Sequence, residues 1–171
     1  IGRFLEEKGV IELFNAFEIL TRSHDARLFI FGDHYQNSLS PKIKAELERW
    51  KKIRNVKFMG FVNDIRPFAS ICDCLVLPSY REGASRAILE CMAMEIPVIA
   101  SDVPGCNNLV EDKKTGFLFK VKDSHDLLLK MKKILLLKKN ERLRIGLRGR
   151  QRVAKMYDVK DVIKKYIELI N

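Results

Sequence analysis

Residues 78–90 read PSYREGASRAILE, with two carboxylates, Glu82 and Glu90, separated by seven residues. The apolar run before Pro78 has the pattern of a buried strand, and the residues after Gly83 have that of a helix. Glu82 therefore falls at the lip of a strand–helix crossover and Glu90 about one and a half turns inside the helix. Ser85 is a good N-cap, so the backbone N–H groups of Arg86, Ala87 and Ile88 lie at a helix start, where geometry and dipole favour an anion. Gly83 and the small Ala84 let a ligand approach the backbone closely. A phosphate at the helix start would have one carboxylate on each side, and each could accept hydrogen bonds from a pair of sugar hydroxyls. The plainer alternative has Glu90 ion-paired with a neighbouring Arg and Glu82 in solvent. Spacing alone leaves both open.

A second constellation is GRFLEEKG at 2–9, where Arg3 and Lys8 flank a loop ahead of a helix. A guanidinium fork and an ammonium point charge suit a diphosphate. By itself the motif is weak, because loops with Arg and Lys are common. It gains weight if this loop and residues 80–86 leave the same sheet. Two further strand exits carry polar or aromatic groups. FMGFVND (58–64) could offer the backbone around Phe61 and Val62 to a base edge after Gly60, with Phe61 packing on the base. SDVPGCNNLVED (101–112) reads first as a structural turn around Pro104-Gly105, with Asn107 and Asn108 as secondary candidates. There is no G-x-G-x-x-G and no phosphate-binding G-x-x-x-x-G-K-[ST], which disfavours a dinucleotide oxidoreductase or a P-loop enzyme. Cysteines at 72, 74, 91 and 106 lack zinc spacing, and His24, His34 and His125 do not cluster. No metal is expected, and the cysteines are expected to be reduced and mostly buried.

These groups need a scaffold that delivers several strand ends to one edge. Val10, Leu13, Phe14, Phe17 and Leu20 recur at helical spacing within 9–22. Ser40 and Pro41 open a helix over 40–53. Short apolar runs at 26–32, 55–62, 73–79, 96–102 and 116–121 read as strands. Short helices are expected at 64–71 and 85–94. Asp123 or Ser124 caps a helix to about 139, and two more stretches, 140–156 and 159–170, close the chain. Continuous apolar strands separated by helices imply a parallel sheet covered on both faces. The expected fold is α/β, a doubly wound, Rossmann-like parallel sheet with a C-terminal helical extension, forming a single domain over 1–171. Ligands of such folds bind at the carboxyl ends of the strands. The strand exits are Gly2-Arg3, Gly32-Asp33-His34, Gly60-Phe61, Pro78 to Ser85 and Ser101 to Gly105.

The chain of 171 residues suits one domain, and no apolar run approaches the ~20 residues that span a bilayer. It opens on Ile1, and IGRF resembles a strand exit, which suggests a piece of a longer protein. The net charge of +10 is uneven: residues 113–171 carry 18 Lys+Arg against 6 Asp+Glu, and residues 1–112 carry 14 against 16. The positive character therefore belongs to the C-terminal helices, where a solvated face is the first reading and an anionic membrane surface the second. The basic region lacks the interleaved aromatics that bind single strands, so nucleic acid is not an expected partner.

Taken in order, GR…KG at 2–9, F-x-G at 58–60, DCLVLPSYREG at 73–83, LECMAMEIPVIASDVPG at 89–105 and TGFLFKVKD at 115–123 resemble the C-terminal, donor-binding half of the family-4 retaining glycosyltransferases of GT-B architecture. The resemblance covers essentially the whole chain. The Glu-x7-Glu spacing is its most specific element. The flavour of YREG…LE…DVPGC is similar to bacterial enzymes that build surface polysaccharides, lipopolysaccharide among them, on lipid-linked acceptors, often from UDP-sugars.

The resemblance implies a metal-independent glycosyltransferase, hexosyl or N-acetylhexosaminyl, with a nucleotide-sugar as substrate and no cofactor. Arg3 and Lys8 would hold the donor diphosphate. Glu82 would contact hydroxyls of the donor hexose, with Gly83, Ala84 and Ser85 lining that pocket. Arg86 and Ala87 would bind phosphate through backbone N–H, Glu90 the ribose hydroxyls, and Gly60, Phe61 and Val62 the base. Glu82, Arg3 and Lys8 are the groups nearest the chemistry. Glu82 would be a positioning group more than a proton shuttle. The acceptor, a glycan or polyprenyl-linked sugar, would be bound by an N-terminal domain outside this sequence. This chain alone would bind a nucleotide weakly and transfer nothing. The enzyme would be cytoplasmic, with peripheral contact at the inner face of the plasma membrane.

Three departures from the family pattern stand out. Glu95 replaces a usual Gly, and left-handed geometry there would cost ~1 kcal/mol. Ser85-Arg86 replaces a Gly and an apolar residue. Gly32-Asp33-His34 lacks a second Gly. Two alternatives remain: a sugar-nucleotide epimerase of the same architecture, which PSYREG…LE argues against, and a basic module for nucleic acid or membrane.

Overall fold

The computed structural model describes residues 5–32 and 40–170. Arg3, Gly2, Asp33 and His34 lie outside the described residues. A short 3-10 turn, Glu6–Lys8, leads into α1 (Val10–Thr21), and the expected stripe of α1 buries Phe14, Phe17 and Leu20. β1 (Leu28–Phe31) follows, then α2 (Pro41–Trp50). Ser40 caps α2 as expected, its Oγ accepting from the Ile43 amide at 3.3 Å. The chain continues through β2 (Val56–Gly60), α3 (Arg66–Ala69), β3 (Leu75–Leu77), α4 (Arg86–Ala93), β4 (Val98–Ser101) and β5 (Gly116–Phe119). α5 (Ser124–Leu136) is capped by Asp123, whose carboxylate accepts from the amides of His125 and Asp126 at 3.0 and 2.9 Å. α6 (Lys139–Met156) and α7 (Val159–Ile170) complete the order.

All described strand pairs are parallel, in two ladders, β1-β2 and β3-β4-β5. The expected single sheet is therefore interrupted between β1 and β3 among the described residues. The winding on both faces is as expected, and period-two alternation shows it. Ile99 of β4 and Phe117 and Phe119 of β5 face a core shared with α1, α2 and α5. Val98 and Ala100 of β4, with Leu75 and Leu77 of β3, face a second core shared with α3 and α4. Trp50 anchors the first core, stacked on Phe14 with ring centroids 4.3 Å apart. β1 and β2 contribute Leu28, Ile30, Val56 and Phe58 to that same core, so both ladders belong to one layer.

Glu95, between α4 and β4, does adopt the left-handed conformation, at φ 62°. The turn is held by α6. A Cβ on Gly146 would lie 1.8 Å from the Glu95 carbonyl oxygen, so only glycine lets α6 press onto this turn. The Arg150 guanidinium also reaches the Glu95 carboxylate at 3.6 Å. No helix among the described residues is long and apolar enough to cross a membrane.

Candidate functional site

The loop before α1 and the loop after β3 are joined at the carboxyl end of β3. The Tyr80 amide donates to the Glu7 carbonyl at 2.7 Å, and the Arg81 guanidinium donates to the Glu7 carboxylate at 2.9 Å. Gly9, at φ 65°, would place a Cβ 2.0 Å from the Pro78 carbonyl oxygen, so the two backbones touch there. The Lys8 ammonium donates to Glu82 Oε1 at 2.7 Å, with the two side chains only 25% and 15% exposed. Glu82 is therefore not the solvated group of the plainer alternative. Lys8 has three N–H donors, so it can keep Glu82 and still present two to an anion.

The turn after β4 supports this pair from behind. Gly105, at φ 82°, would carry a Cβ 2.1 Å from the Gly83 carbonyl oxygen and 2.4 Å from that of Glu82. The backbones of 82–83 and 105 are thus in direct contact. Cys106 is buried beside them, and burial first, then the Glu82 charge, pushes its thiol up to about 12, with Lys8 opposing. Asn107 and Asn108 take the structural role expected first. The Asn107 amide donates to Asp102 Oδ1 at 2.8 Å, and the Asn108 carbonyl accepts from Arg152 at 2.9 Å.

At the start of α4 the structure corrects one expectation. Ser85 occupies the N-cap position in extended geometry, but its side chain accepts no capping hydrogen bond. Ser85 is instead buried, and the opening turn of α4 has no side-chain cap. Gly83 and Ala84 are exposed beside it, and a Cβ on Gly83 would meet nothing within 4 Å, so this stretch borders open space. Arg86 is 90% exposed on its side chain and reaches Glu90 Oε1 at 3.4 Å, the helical ion pair of the plainer alternative. Ala87 is half-buried and Glu90 exposed.

Gly60 ends β2 in the first ladder, and Phe61 and Val62 follow it at the carboxyl end. Gly60 turns the chain at φ 67°, and Phe61 projects 74% exposed. The structure thus brings Lys8, Glu82, Gly83, Ala84, Ser85 and the α4 start together, with Glu90 one turn further along α4 on the face of Arg86. The Gly60–Val62 turn shares only the sheet edge.

Sequence reasoning missed Tyr80 and Glu12. The Tyr80 hydroxyl donates to Glu12 Oε1 at 2.7 Å, and burial first, then this hydrogen bond to the Glu12 carboxylate, push the phenol well above its ordinary range. Lys122 lies over the Tyr80 ring at 4.7 Å from the centroid. Tyr80 therefore fixes the segment carrying Glu82 onto α1. The partners are 68 residues apart, and nothing local in the sequence signals the contact.

In a parallel α/β scaffold, an uncapped helix start at the strand ends can hold an anion through its N–H groups, and a carboxylate beside it can accept hydrogen bonds from hydroxyls. The family model described as "Glycosyl transferases group 1" matches residues 1–152, and the chain belongs to that family. Among curated relatives, the N,N'-diacetylbacillosaminyl-diphospho-undecaprenol alpha-1,3-N-acetylgalactosaminyltransferase of Campylobacter jejuni is 31% identical over 170 residues, covering 99% of this chain and 43% of the relative. The capsular polysaccharide biosynthesis glycosyltransferase CapM of Staphylococcus aureus is 29% identical over 161 residues, 92% of this chain and 41% of the relative. The structure of Anabaena Alr3699/HepE in complex with UDP and glucose matches with a TM-score of 0.86 at 23% identity, over 99% of this chain and 47% of that one. The chain spans less than half the length of these two curated relatives.

Proposed function

We propose that this chain is the donor-binding half of a retaining glycosyltransferase that takes a nucleotide-diphosphate sugar, a UDP-sugar first, and serves polysaccharide assembly on a glycan or polyprenyl-linked acceptor. The observation that carries the reading is the Lys8–Glu82 pair at 2.7 Å beside the uncapped start of α4. The names of the relatives, a transferase to a diphospho-undecaprenol sugar and a capsular enzyme, support the acceptor class. The UDP and glucose held by the matched Anabaena structure support the donor class.

Cleaving the anomeric bond places positive charge on the sugar and negative charge on the departing diphosphate. Lys8 and the N–H groups at Arg86 and Ala87 offset the charge on the diphosphate in a fixed geometry, and Arg3, outside the described residues, would add a second cation. Lys8 in turn holds Glu82 where a hexose hydroxyl pair can donate to it, with Gly83, Ala84 and Ser85 forming the adjoining wall. Glu90 exchanges its weak Arg86 contact for the ribose hydroxyls, and the Gly60–Val62 turn meets the base. The acceptor arrives through a domain outside this sequence, where the full enzyme works at the cytoplasmic face of a membrane. Calorimetric titration of this chain with UDP, GDP and ADP, and with their sugar conjugates, tests the reading. UDP and UDP-sugars should bind best, whereas binding of none would overturn the donor-site assignment.

A further inference from the structure

Arg152 of α6 departs from the solvated basic face expected of the C-terminal helices, since its side chain is only 25% exposed. Its guanidinium acts as a fork: Nε donates to the Leu109 carbonyl at 2.8 Å and Nη2 to the Asn108 carbonyl at 2.9 Å. Glu111 Oε2 lies 4.0 Å from Nη1, and the Tyr157 hydroxyl donates to the same Asn108 carbonyl at 3.4 Å.

The segment held in this way is a pair of helical turns after β4. The Cys106 and Asn107 amides both donate to the Val103 carbonyl at 3.0 Å, and the Leu109 and Val110 amides donate to the Cys106 carbonyl at 3.0 and 2.9 Å. Asn108 and Leu109 close the second turn, where carbonyls lack a partner further along the chain. Arg152 brings them two N–H donors, and its positive charge suits that end of the turn. At the front of the same segment, Gly105 touches the backbone of the site. An added Cβ there would lie 2.1 Å from the Gly83 carbonyl oxygen and 2.4 Å from that of Glu82. The contact leaves no slack, so a shift of the turn at Asn108 and Leu109 is passed on to residues 82–83. Glu90 is held differently. It belongs to α4, whose contact with α6 runs through Gly149 against Met92 and does not pass through Arg152.

We propose that Arg152 is a positioning residue for the donor sugar: by fixing the 103–110 turn through the Asn108 and Leu109 carbonyls, it holds Glu82 where a hexose hydroxyl pair is bound. Arg152 touches no ligand and acts only through the turn, 43 and 44 residues away along the chain. The mechanical link stands on the contacts, and its consequence for the sugar rests on the donor-site reading.

The test is calorimetry of UDP and a UDP-hexose on this chain and on Arg152→Ala, with amide hydrogen exchange of both proteins. Arg152→Ala should speed exchange of the Leu109 and Val110 amides about tenfold or more and leave the Ile99 amide of β4 unchanged. It should leave UDP affinity unchanged and lower UDP-hexose affinity about tenfold. Gly146→Ala, on the same helix, separates positioning from lost stability: it should lower the melting temperature and leave both affinities unchanged. Arg152→Lys keeps the charge without the fork and should weaken the UDP-hexose about threefold, which decides the matter if the alanine variant does not fold. The proposal is overturned if UDP-hexose affinity is unchanged in Arg152→Ala, or in Arg152→Lys where only that variant folds. It is equally overturned if UDP and the UDP-hexose weaken by the same factor, if Leu109 and Val110 exchange no faster, or if Gly146→Ala weakens the UDP-hexose as much. A parent chain that binds the UDP-hexose no better than UDP overturns the donor-site reading, and this inference with it; the variants bear on the inference alone.

Discussion

Gly105→Ala offers the most informative single perturbation, because its effect on stability and on the site come from one contact. Gly105 sits at φ 82°, and the added Cβ would lie 2.1 Å from the Gly83 carbonyl oxygen and 2.4 Å from that of Glu82. The left-handed conformation costs an L-residue about 1–2 kcal/mol. The overlap with fixed backbone adds about 1–3 kcal/mol, and the stiffer unfolded chain returns about 0.4–1 kcal/mol. The net loss is about 1–4.6 kcal/mol, or about 2–18 °C in melting temperature for a chain of this size. The contact must open by about 1 Å, and it can do so only by moving the segment that carries Glu82, so affinity for a UDP-sugar should fall about tenfold. Thermal melting and calorimetry read the two effects separately. A melting temperature within 1 °C of the parent would refute the reasoning about the contact. A large stability loss with unchanged donor affinity would refute the claim that this turn supports the site.

Gly83→Ala is the matched contrast: its Cβ meets nothing within 4 Å, so melting should be unchanged while donor affinity falls about tenfold, measured on the same instruments. Gly146→Ala should lower the melting temperature without touching donor affinity, because its Cβ would strike the Glu95 carbonyl at 1.8 Å, in the turn between α4 and β4. The cysteines give a pH prediction. Burial raises the thiols of Cys74 and Cys106 to about 12 and that of Cys91 to about 11, from 9.0. A raised folded value means the stabilisation is complete below the ordinary value of 9.0 and is lost as pH climbs through 11–12. Chemical denaturation midpoints should therefore hold between pH 7 and 8 and fall steadily above pH 9, and a flat profile to pH 11 would contradict it.

Most of the fold was legible because its signals are local. The stripe on α1, the Ser40-Pro41 start and the Asp123 cap each depend on a few neighbouring residues, and each element formed where expected. Ser85 shows the limit: residue type placed it at the N-cap, but burial took its hydroxyl out of the capping role. The interrupted sheet was equally hidden, since apolar runs mark strands and not their partners. At the site, spacing brought Lys8, Glu82 and the α4 start into view, because strand exits of one parallel sheet converge. It left open whether Glu82 was solvated, and a contact across 74 residues decided that. Glu90 remains the position where spacing and structure divide, since its Arg86 neighbour at 3.4 Å is the plain helical pair, present before any ligand.

The most direct test of the central claim is calorimetry of UDP and a UDP-hexose on this chain and on its Glu90→Ala and Glu82→Ala variants. A carboxylate accepting ribose hydroxyls contributes about 1.5–3 kcal/mol, so Glu90→Ala should weaken both ligands about 10- to 100-fold. Glu82→Ala should leave UDP unchanged and weaken the UDP-hexose until it binds no better than UDP. Loss of UDP binding in Glu82→Ala, or unchanged binding of both ligands in Glu90→Ala, would contradict the division of one donor between the two glutamates.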